Sequence, residues 1–247
     1  MPTIDLNADV GEGFDVEGAL IPLVTSASIA CGGHAGDPQT MRRSVAIARE
    51  HGVAIGAHPG HADPEHFGRR ALDLDEQHAH RLVLVQTRRL VTIASELGTR
   101  VRYVKLHGAL YHQANHHDTI ARGVVSAVAL LPGPPALLGP AGTRLHHFAI
   151  KAGLAYFLEA FADRVYEEDG SLRSRAEKGA VLSSAALVRQ ALSLATNHGI
   201  VTPLGNSVPI ACDSLCLHGD TPDAVENARA VREAFATARI AVQPFTA

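Results

Sequence analysis

The chain has 247 residues, of which 46% are hydrophobic and 19% are charged, and its formal net charge is -3 at pH 7 with neutral histidines. This length suits one large α/β domain, and the near-neutral charge argues against a protein that binds nucleic acid or an anionic membrane surface. No apolar run approaches the roughly 20 residues that a membrane-spanning helix needs.

The cysteines and the first residues indicate a cytoplasmic protein. The three cysteines are Cys31, Cys212 and Cys216, and an odd, small number in a chain of this length does not suggest a disulfide framework. Residues 1–3 lead directly into a strand pattern, without the regions typical of a signal peptide. We therefore expect reduced thiols and cytoplasmic localisation.

The first strand pattern organises the rest of the chain. Apolar and polar side chains alternate over residues 4–9, which predicts a β-strand. Asp5, Asn7 and Asp9 form its polar face, and a glycine-rich turn with Glu12 follows. This polar face points either to solvent or into a functional site.

The remaining elements alternate between helices and strands. We predict helices over residues 17–23, 38–51, 75–97, 118–131, 141–152 and 184–197, and a last helix that Thr221 and Pro222 cap and that ends near Ala238. Further strands are predicted over residues 26–31, 53–57, 102–107, 136–139, 155–161 and 214–217, with loops over residues 60–70 and 166–175. Asp37 is the expected N-cap of the second helix, with Pro38 in its first turn. The alternation favours parallel strands in a single domain over residues 1–247.

Most of the predicted strands end in polar residues. In chain order these are Asp9 and Glu12, His34 and Asp37, His58, Lys105 and His107, Glu159 with Asp163 and Arg164, and finally His218 and Asp220. In an α/β barrel, such strand ends form the active-site face. On the fourth strand, Lys105 and His107 alternate with apolar residues and should point into the barrel. We expect a paired network of Asp9, Lys105, His107 and Glu159, because burial without partners would be costly.

Each of these residues also has a structural interpretation. A lone histidine at a strand end is commonly a hydrogen-bond partner, and Lys105 could form a structural ion pair with Asp5 or Asp9. Asp9, His34 and His58 could form a metal site, although their spacing is unspecific. The spacing of Cys212, Cys216 and His218 resembles a metal motif only loosely, and both cysteines are better interpreted as buried core thiols. The sequence contains no P-loop, and its Gly-Glu-Gly turn is too short for a dinucleotide fingerprint.

Six segments resemble, in this order, the LamB/YcsF family of bacterial 5-oxoprolinase A subunits. They are DLNADVGEG (5–13), SASIACGGHAGDP (26–38), GAHPG (56–60), VKLHGALY (104–111), EAFADRVYEEDGSLRSR (159–175) and CLHGD (216–220). The resemblance implies an irregular seven-stranded α/β barrel, similar to the glycoside hydrolase and deacetylase superfamily. It also implies ATP-dependent hydrolysis of the lactam 5-oxo-L-proline to L-glutamate, together with subunits B and C, which would contribute to the ATP site. A bound metal and a homodimer are left open.

The resemblance gives the strand-end residues provisional roles. Asp9 or His107 would be the general base, and Lys105 would stabilise the oxyanion. Arg164 would pair with the substrate carboxylate. The remaining candidates would orient substrate or water, or support the site: His34, His58, His218, Asn7, Glu12 and Glu159. The alternatives are a metal-dependent amidase or deacetylase that acts without ATP, and a non-catalytic subunit that only binds substrate.

The chain departs from the family pattern at three positions. Family members commonly have Phe at the position of Gly33, Pro at that of Leu106 and Ser at that of Gly60. We expect Leu106 to point outward, where the change has little effect. We expect the glycine at position 33 to remove an aromatic wall beside His34.

Overall fold

The computed structural model describes residues 1–175, 177–197, 199–221 and 223–245. The elements of the first half are β1 (Thr3–Val10), α1 (Glu17–Leu20), β2 (Ser26–Ala30), α2 (Pro38–Glu50), β3 (Ala54–His58), α3 (Glu76–Glu96), β4 (Val101–Val104), α4 (Gly108–His116) and α5 (Asp118–Ala129). Those of the second half are β5 (Ala136–Gly139), α6 (Arg144–Lys151), β6 (Tyr156–Phe161), α7 (Ser184–Asn197), β7 (Gly199–Val201), β8 (Ser207–Pro209), β9 (Ser214–His218), α8 (Ala224–Thr237) and β10 (Ala241–Val242). None of the helices in these ranges is long and apolar enough to cross a membrane.

Seven parallel strands of the described residues close into a barrel. Their order is β1-β2-β3-β4-β5-β6-β9, and β9 pairs back onto β1. The closing register places Asp9 beside His218, so the polar ends of the first and last barrel strands are neighbours. The strand β10 extends the sheet next to the start of β1, and β7 and β8 form a separate antiparallel pair. The prediction of a seven-stranded α/β barrel is therefore confirmed.

The two faces of the strands have different surroundings. Leu6, Val104 and Leu106 are buried in the apolar layer between barrel and helices, together with residues such as Leu90 and Phe235. Each fully buried side chain of this kind contributes roughly 1.5–3 kcal/mol. The free energy gained by burying this layer offsets the free-energy cost of removing the charged groups of the barrel interior from water. Leu106 packs in this apolar cluster, as expected from its position on the strand, and it also borders the cleft at the strand ends.

Asp37 and Asp75 cap the N-termini of α2 and α3. The Asp37 carboxylate accepts hydrogen bonds from the backbone N–H groups of Gln39 and Thr40, both at 2.8 Å. The Asp75 carboxylate accepts one from His78 at 2.7 Å. For α8, the predicted cap residue Pro222 lies outside the described residues, and the N-cap position is Asp223 rather than Thr221.

The fourth strand is shorter than predicted, and a helix follows it directly. The strand β4 ends at Val104, and α4 begins at Gly108. Between them the chain stays alongside β3, because the N–H of Lys105 donates to Ala57 O at 3.0 Å and that of His107 donates to Pro59 O at 2.9 Å. The predicted inward orientation of Lys105 therefore holds beyond the end of the regular strand.

Candidate active site

A cleft of about 720 Å³ opens at the carboxyl ends of the barrel strands. Its floor includes the strand-end residues Asp9, His58, Lys105, His107, Phe161 and His218, and its walls include Arg69, Tyr111, Arg164, Arg173 and Arg175. Four further predicted residues contact these side chains from behind: Asn7, Glu12, His34 and Glu159. The predicted residues thus meet at one end of the barrel.

Lys105 lies at the centre of one group of polar side chains. Its Nζ atom is 2.8 Å from Asp9 Oδ1 and 2.8 Å from Glu159 Oε1. Nζ is also 3.0 Å from Asn7 Oδ1 and 3.0 Å from Cys216 Sγ. The three protons of the ammonium therefore face four acceptors. Of the two structural partners considered from sequence, Asp9 rather than Asp5 is the one that pairs with Lys105.

These contacts keep both partners charged. Burial favours the neutral amine of Lys105, but the carboxylates of Asp9 and Glu159 outweigh it and hold its pKa well above the usual range. Burial likewise favours the neutral acid of Asp9, but the charges of His58 and Lys105 hold its pKa well below the usual range. An ionised carboxylate and an ammonium therefore persist at the cleft floor at neutral pH.

Glu12, His34, His58 and His107 form a second buried group, which we call the Glu12 cluster. Glu12 Oε1 lies 2.9 Å from His34 Nε2, 3.2 Å from His107 Nδ1 and 3.8 Å from His58 Nε2. The rings of His34 and His107 stack in parallel with 3.6 Å between their centroids. One ligand atom from each of the four residues lies within 4.8 Å of the others. The cluster therefore has the composition of a metal-binding group.

His34 and His58 have opposite pKa shifts. Burial lowers the pKa of His34 to about 4, so its neutral ring carries one proton, which Nε2 can donate to Glu12. Burial also opposes protonation of His58, but Asp9, with Oδ2 at 3.5 Å from His58 Nε2, raises its pKa above the usual value. His58 thus links the Glu12 cluster to the Lys105 group.

His218 is oriented by Asp163, a residue outside the predicted site set. His218 Nδ1 donates to the Asp163 carboxylate at 2.8 Å, and its ring stacks on Phe161 with 5.4 Å between centroids. Burial raises the pKa of Asp163, but His218 outweighs it and lowers that pKa overall. Because Nδ1 carries the proton, Nε2 of the neutral ring is an acceptor.

The cleft walls are rich in arginine. Arg164 is buried, donates to the backbone oxygens of Ala180 and Arg173, and forms no ion pair within the part of the chain that the structure describes. Arg175 Nη1 lies 3.0 Å from Asp220 Oδ2, and Arg69 pairs with the same carboxylate. Arg164 is therefore a cation on the wall that lacks a carboxylate partner among the described residues.

Two contacts to the polar group around Lys105 were not predicted from the sequence. Tyr111 lies on α4, which was not predicted, and its hydroxyl donates to Glu159 Oε2 at 3.1 Å. Cys216 was interpreted as a core thiol, but its sulfur faces Lys105. The alternation over Ser214, Cys216 and His218 was a usable signal, because it places all three on the inward face of β9.

The expectation of a missing aromatic wall beside His34 was wrong. The ring of Phe67 lies 5.5 Å from that of His34 at an angle of 82°. A Cβ atom built at Gly33 would lie 2.5 Å from Gln86 Oε1. In this chain Phe67 supplies the aromatic neighbour, and Gln86 occupies the space of a side chain at position 33.

Comparisons with known proteins agree with the resemblance found from the motifs. The chain is 47% identical to the A subunit of 5-oxoprolinase from Nocardia farcinica, covering 98% of this chain and 99% of that protein. It is 45% identical to the corresponding A subunit from Nitrobacter winogradskyi, covering 98% of each. Among solved structures, the lactam utilization protein from Thermus thermophilus superposes with a TM-score of 0.92 at 37% identity, covering 98% of this chain and 100% of that one. Residues 4–247 match the family model of LamB/YcsF. The chain belongs to the LamB/YcsF family.

Proposed function

We propose that this chain is the lactam-cleaving component of an ATP-dependent 5-oxoprolinase, which hydrolyses 5-oxo-L-proline to L-glutamate together with subunits B and C. Relatives that match over nearly their whole length are named as the A subunit of 5-oxoprolinase. The observation that carries the proposal is a cleft with a buried ammonium at its floor and, on its wall, an arginine without a carboxylate partner among the described residues. Such a cleft suits a small substrate that has both an amide and a carboxylate.

Arg164 is the proposed partner of the substrate carboxylate. A guanidinium can bind a carboxylate through two parallel hydrogen bonds, which fixes orientation as well as charge. Its two bonds to backbone oxygens hold the side chain in place and leave further N–H groups free to donate. The substrate amide would then lie over the cleft floor.

Lys105 and Asp9 are the proposed catalytic pair. The developing oxyanion would replace Cys216, the weakest of the acceptors around Lys105 Nζ, so that both ion pairs are retained. Asp9 is ionised and lines the cleft, and it would accept a proton from the attacking water. We favour Asp9 over His107 as the base, because Asp9 Oδ2 has only a long contact, 3.5 Å to His58 Nε2. His107 Nε2 is already 2.8 Å from Phe67 O, and its Nδ1 faces Glu12 and His58.

The remaining residues would position the reactants. His218 would present Nε2 to substrate or water, with its ring held by Asp163. Asn7 and Glu159 contact Lys105, whereas Glu12, His34 and His58 would support the floor beside Asp9. These contacts favour support rather than direct substrate contact for Asn7, Glu12, His34 and Glu159.

The ATP requirement follows from the chemistry of the substrate. An unstrained lactam resists attack by water, and ring closure competes with hydrolysis, so activation of the amide oxygen by ATP would drive the reaction forward. The chain carries no P-loop motif, so the ATP site would involve the partner subunits.

The experiment uses the complex of this chain with subunits B and C, assayed for glutamate formed from 5-oxo-L-proline and for ATP hydrolysed. We expect coupled turnover that Lys105→Met abolishes and that Lys151→Ala, at an exposed lysine on α6, leaves unchanged. Absence of glutamate formation by the wild-type complex would refute the proposal. Turnover by this chain alone without ATP, lost on treatment with a chelator, would instead identify a metal-dependent amidase. Turnover by B and C alone would identify this chain as a binding component.

A further inference from the structure

We propose that Glu12, His58 and His107 bind one divalent transition-metal ion, with His34 as a supporting hydrogen-bond donor. This inference goes beyond the proposed lactam hydrolysis and does not depend on it. Its ligand set also differs from Asp9, His34 and His58, the set considered from the sequence. The evidence is which ring nitrogens carry protons, the distances between the ligand atoms and the orientation of the rings.

Backbone carbonyls fix the protonated nitrogen of two imidazoles. His58 Nδ1 lies 2.8 Å from Lys105 O, and His107 Nε2 lies 2.8 Å from Phe67 O. A carbonyl oxygen only accepts, so these two nitrogens carry the protons. The opposite nitrogens, His58 Nε2 and His107 Nδ1, lie 3.1 Å apart. Both present lone pairs when the rings are neutral, and a metal ion would take the place of the proton that nearby Asp9 favours on His58 Nε2.

The carboxylate of Glu12 adds a third electron-rich atom to the same space. Its Oε1 lies 3.2 Å from His107 Nδ1 and 3.8 Å from His58 Nε2. Three such acceptors in a buried site repel one another unless a cation lies between them, which is either a proton on His58 Nε2 or a metal ion that displaces it. Imidazole ligands whose other nitrogen donates to a backbone carbonyl are the usual arrangement around a protein-bound metal.

The distances fit a tetrahedral ion. With metal–ligand bonds of about 2.0–2.1 Å, neighbouring ligand atoms in a tetrahedral site are about 3.3 Å apart. The three separations here are 3.1, 3.2 and 3.8 Å. Two histidines and one glutamate form a donor set that zinc uses in catalytic sites, with the fourth position open. His58 and His107 line the cleft, so that position could take water or an oxygen ligand.

His34 is excluded from the first coordination sphere by its ring orientation. Its ring is parallel to that of His107, with an interplanar angle of 5° and 3.6 Å between centroids. A metal bonded in the plane of one ring cannot also lie in the plane of the other. His34 Nε2 instead lies 2.9 Å from Glu12 Oε1, where it can donate to the metal-binding carboxylate.

The second group of metal-binding residue types is already occupied by an ammonium. Asp9, Cys216 and His218 also have ligand atoms within 4.8 Å of one another. However, Lys105 Nζ lies 2.8 Å from Asp9 and 3.0 Å from Cys216. Its positive charge would repel a metal ion there, so the Glu12 cluster is the better site.

The full-length chain is first treated with a chelator and freed of it. It is then titrated with Zn²⁺, and calorimetry measures the stoichiometry and the affinity of binding. We expect one ion per chain. His58→Ala and His107→Ala should each weaken binding more than about 100-fold, because loss of a supporting partner alone costs about 10- to 100-fold. His34→Ala should fall in that smaller range, and His147→Ala, at an exposed histidine on α6, should bind like the wild type.

Since a buried variant could fail to fold, X-ray absorption at the zinc edge of the loaded wild-type chain gives an independent readout. The proposal expects two imidazoles and oxygen ligands at about 2.0–2.1 Å. It is overturned if the wild type takes up no Zn²⁺, if the spectrum lacks imidazole, or if His34→Ala loses as much affinity as His58→Ala. Binding is measured without substrate, so the result is independent of whether the chain acts on 5-oxo-L-proline.

Discussion

The Nζ atom of Lys105 lies 2.8 Å from Oδ1 of Asp9, although the two residues are 96 positions apart in the chain. Asp9 lies near the end of β1, and Lys105 follows β4, so the pair crosses the barrel interior. The charged cleft floor therefore forms only when the barrel has closed. The stability of the barrel and the geometry of the candidate site consequently depend on the same buried contact between Lys105 and Asp9.

Replacing Lys105 with methionine should destabilise the fold by about 3–5 kcal/mol, because it leaves buried carboxylates without their cation. Denaturant unfolding measures this loss. Adding Glu159→Gln should restore part of it, since Glu159 Oε1 lies 2.8 Å from the same ammonium. If the losses of the two single variants simply add in the double variant, the two residues are not energetically coupled.

Asp5→Asn should change how stability depends on pH. Burial, helped by the nearby negative charge of Glu159, raises the pKa of Asp5 from 3.8 to about 6. The hydrogen bonds that Ser214, Ser26 and Thr25 donate to Asp5 oppose this shift without cancelling it. The folded state thus holds this proton more tightly than the unfolded state does. Stability from this group is present below pH 3.8 and is lost as the pH rises towards 6.

The loss in the free energy of unfolding follows from the pKa shift of Asp5, and it reaches up to about 3 kcal/mol for a shift of roughly two pKa units. Free energies of unfolding measured between pH 4 and 7 should therefore fall less steeply for Asp5→Asn than for the wild type. Asp15→Asn, at an exposed carboxylate, is the matched control and should follow the wild-type curve. Parallel curves for all three proteins would contradict a buried, protonated Asp5.

Arg164→Gln should raise the KM for 5-oxo-L-proline by about 10- to 100-fold in the three-subunit complex, because a hydrogen bond to a charged group contributes about 1.5–3 kcal/mol. The value of kcat should change less, since the proposed contact is made before and during the reaction alike. Arg144→Gln, at an exposed arginine paired with Asp118, serves as the control. A fall in kcat with an unchanged KM would exclude carboxylate binding by Arg164.

Asp163→Asn should lower kcat by up to about 100-fold with a smaller effect on KM, because the charge that orients the His218 ring is lost. The ¹⁵N chemical shifts of that ring report which nitrogen carries the proton, and we expect them to change. Asp163→Glu should recover part of the activity. An unchanged ring tautomer together with full activity would show that Asp163 has only a structural role.

Helix caps and alternating apolar residues in the sequence predicted much of the fold. Elements without such local patterns, namely α4, β7 and β8, were not predicted. Asp37 and Asp75 cap helices through hydrogen bonds to the next few residues, so the sequence alone locates those starts. The helix α4 has no such signal: its N-cap, His107, makes no capping bond, and Gly108 has a positive φ of 52°. The strands β7 and β8 have three residues each, too few for an alternating pattern to be recognised.

The sequence predicted which residues gather at the cleft, but not how they divide into groups. The alternation of side chains along the fourth strand was sufficient to place Lys105 inside the barrel. The same argument placed His107 in a network with Lys105. The structure places His107 with Glu12 and His58 instead, because its Nε2 is held by the carbonyl of Phe67. Phe67 lies in the loop after β3, and no strand or helix pattern determines where such a loop passes.

Asp220 binds arginines from two separate segments, Arg69 from the loop after β3 and Arg175 from the segment after β6. The shared carboxylate of Asp220 therefore joins two loops at the entrance of the cleft through ion pairs. Arg69 is partly exposed, so dissolved salt should screen this bridge more strongly than the enclosed charges below it. Raising the ionic strength should accordingly make the two loops more mobile and speed the entry and exit of small molecules at the cleft. This should occur at salt concentrations that do not yet lower the free energy of unfolding of the barrel.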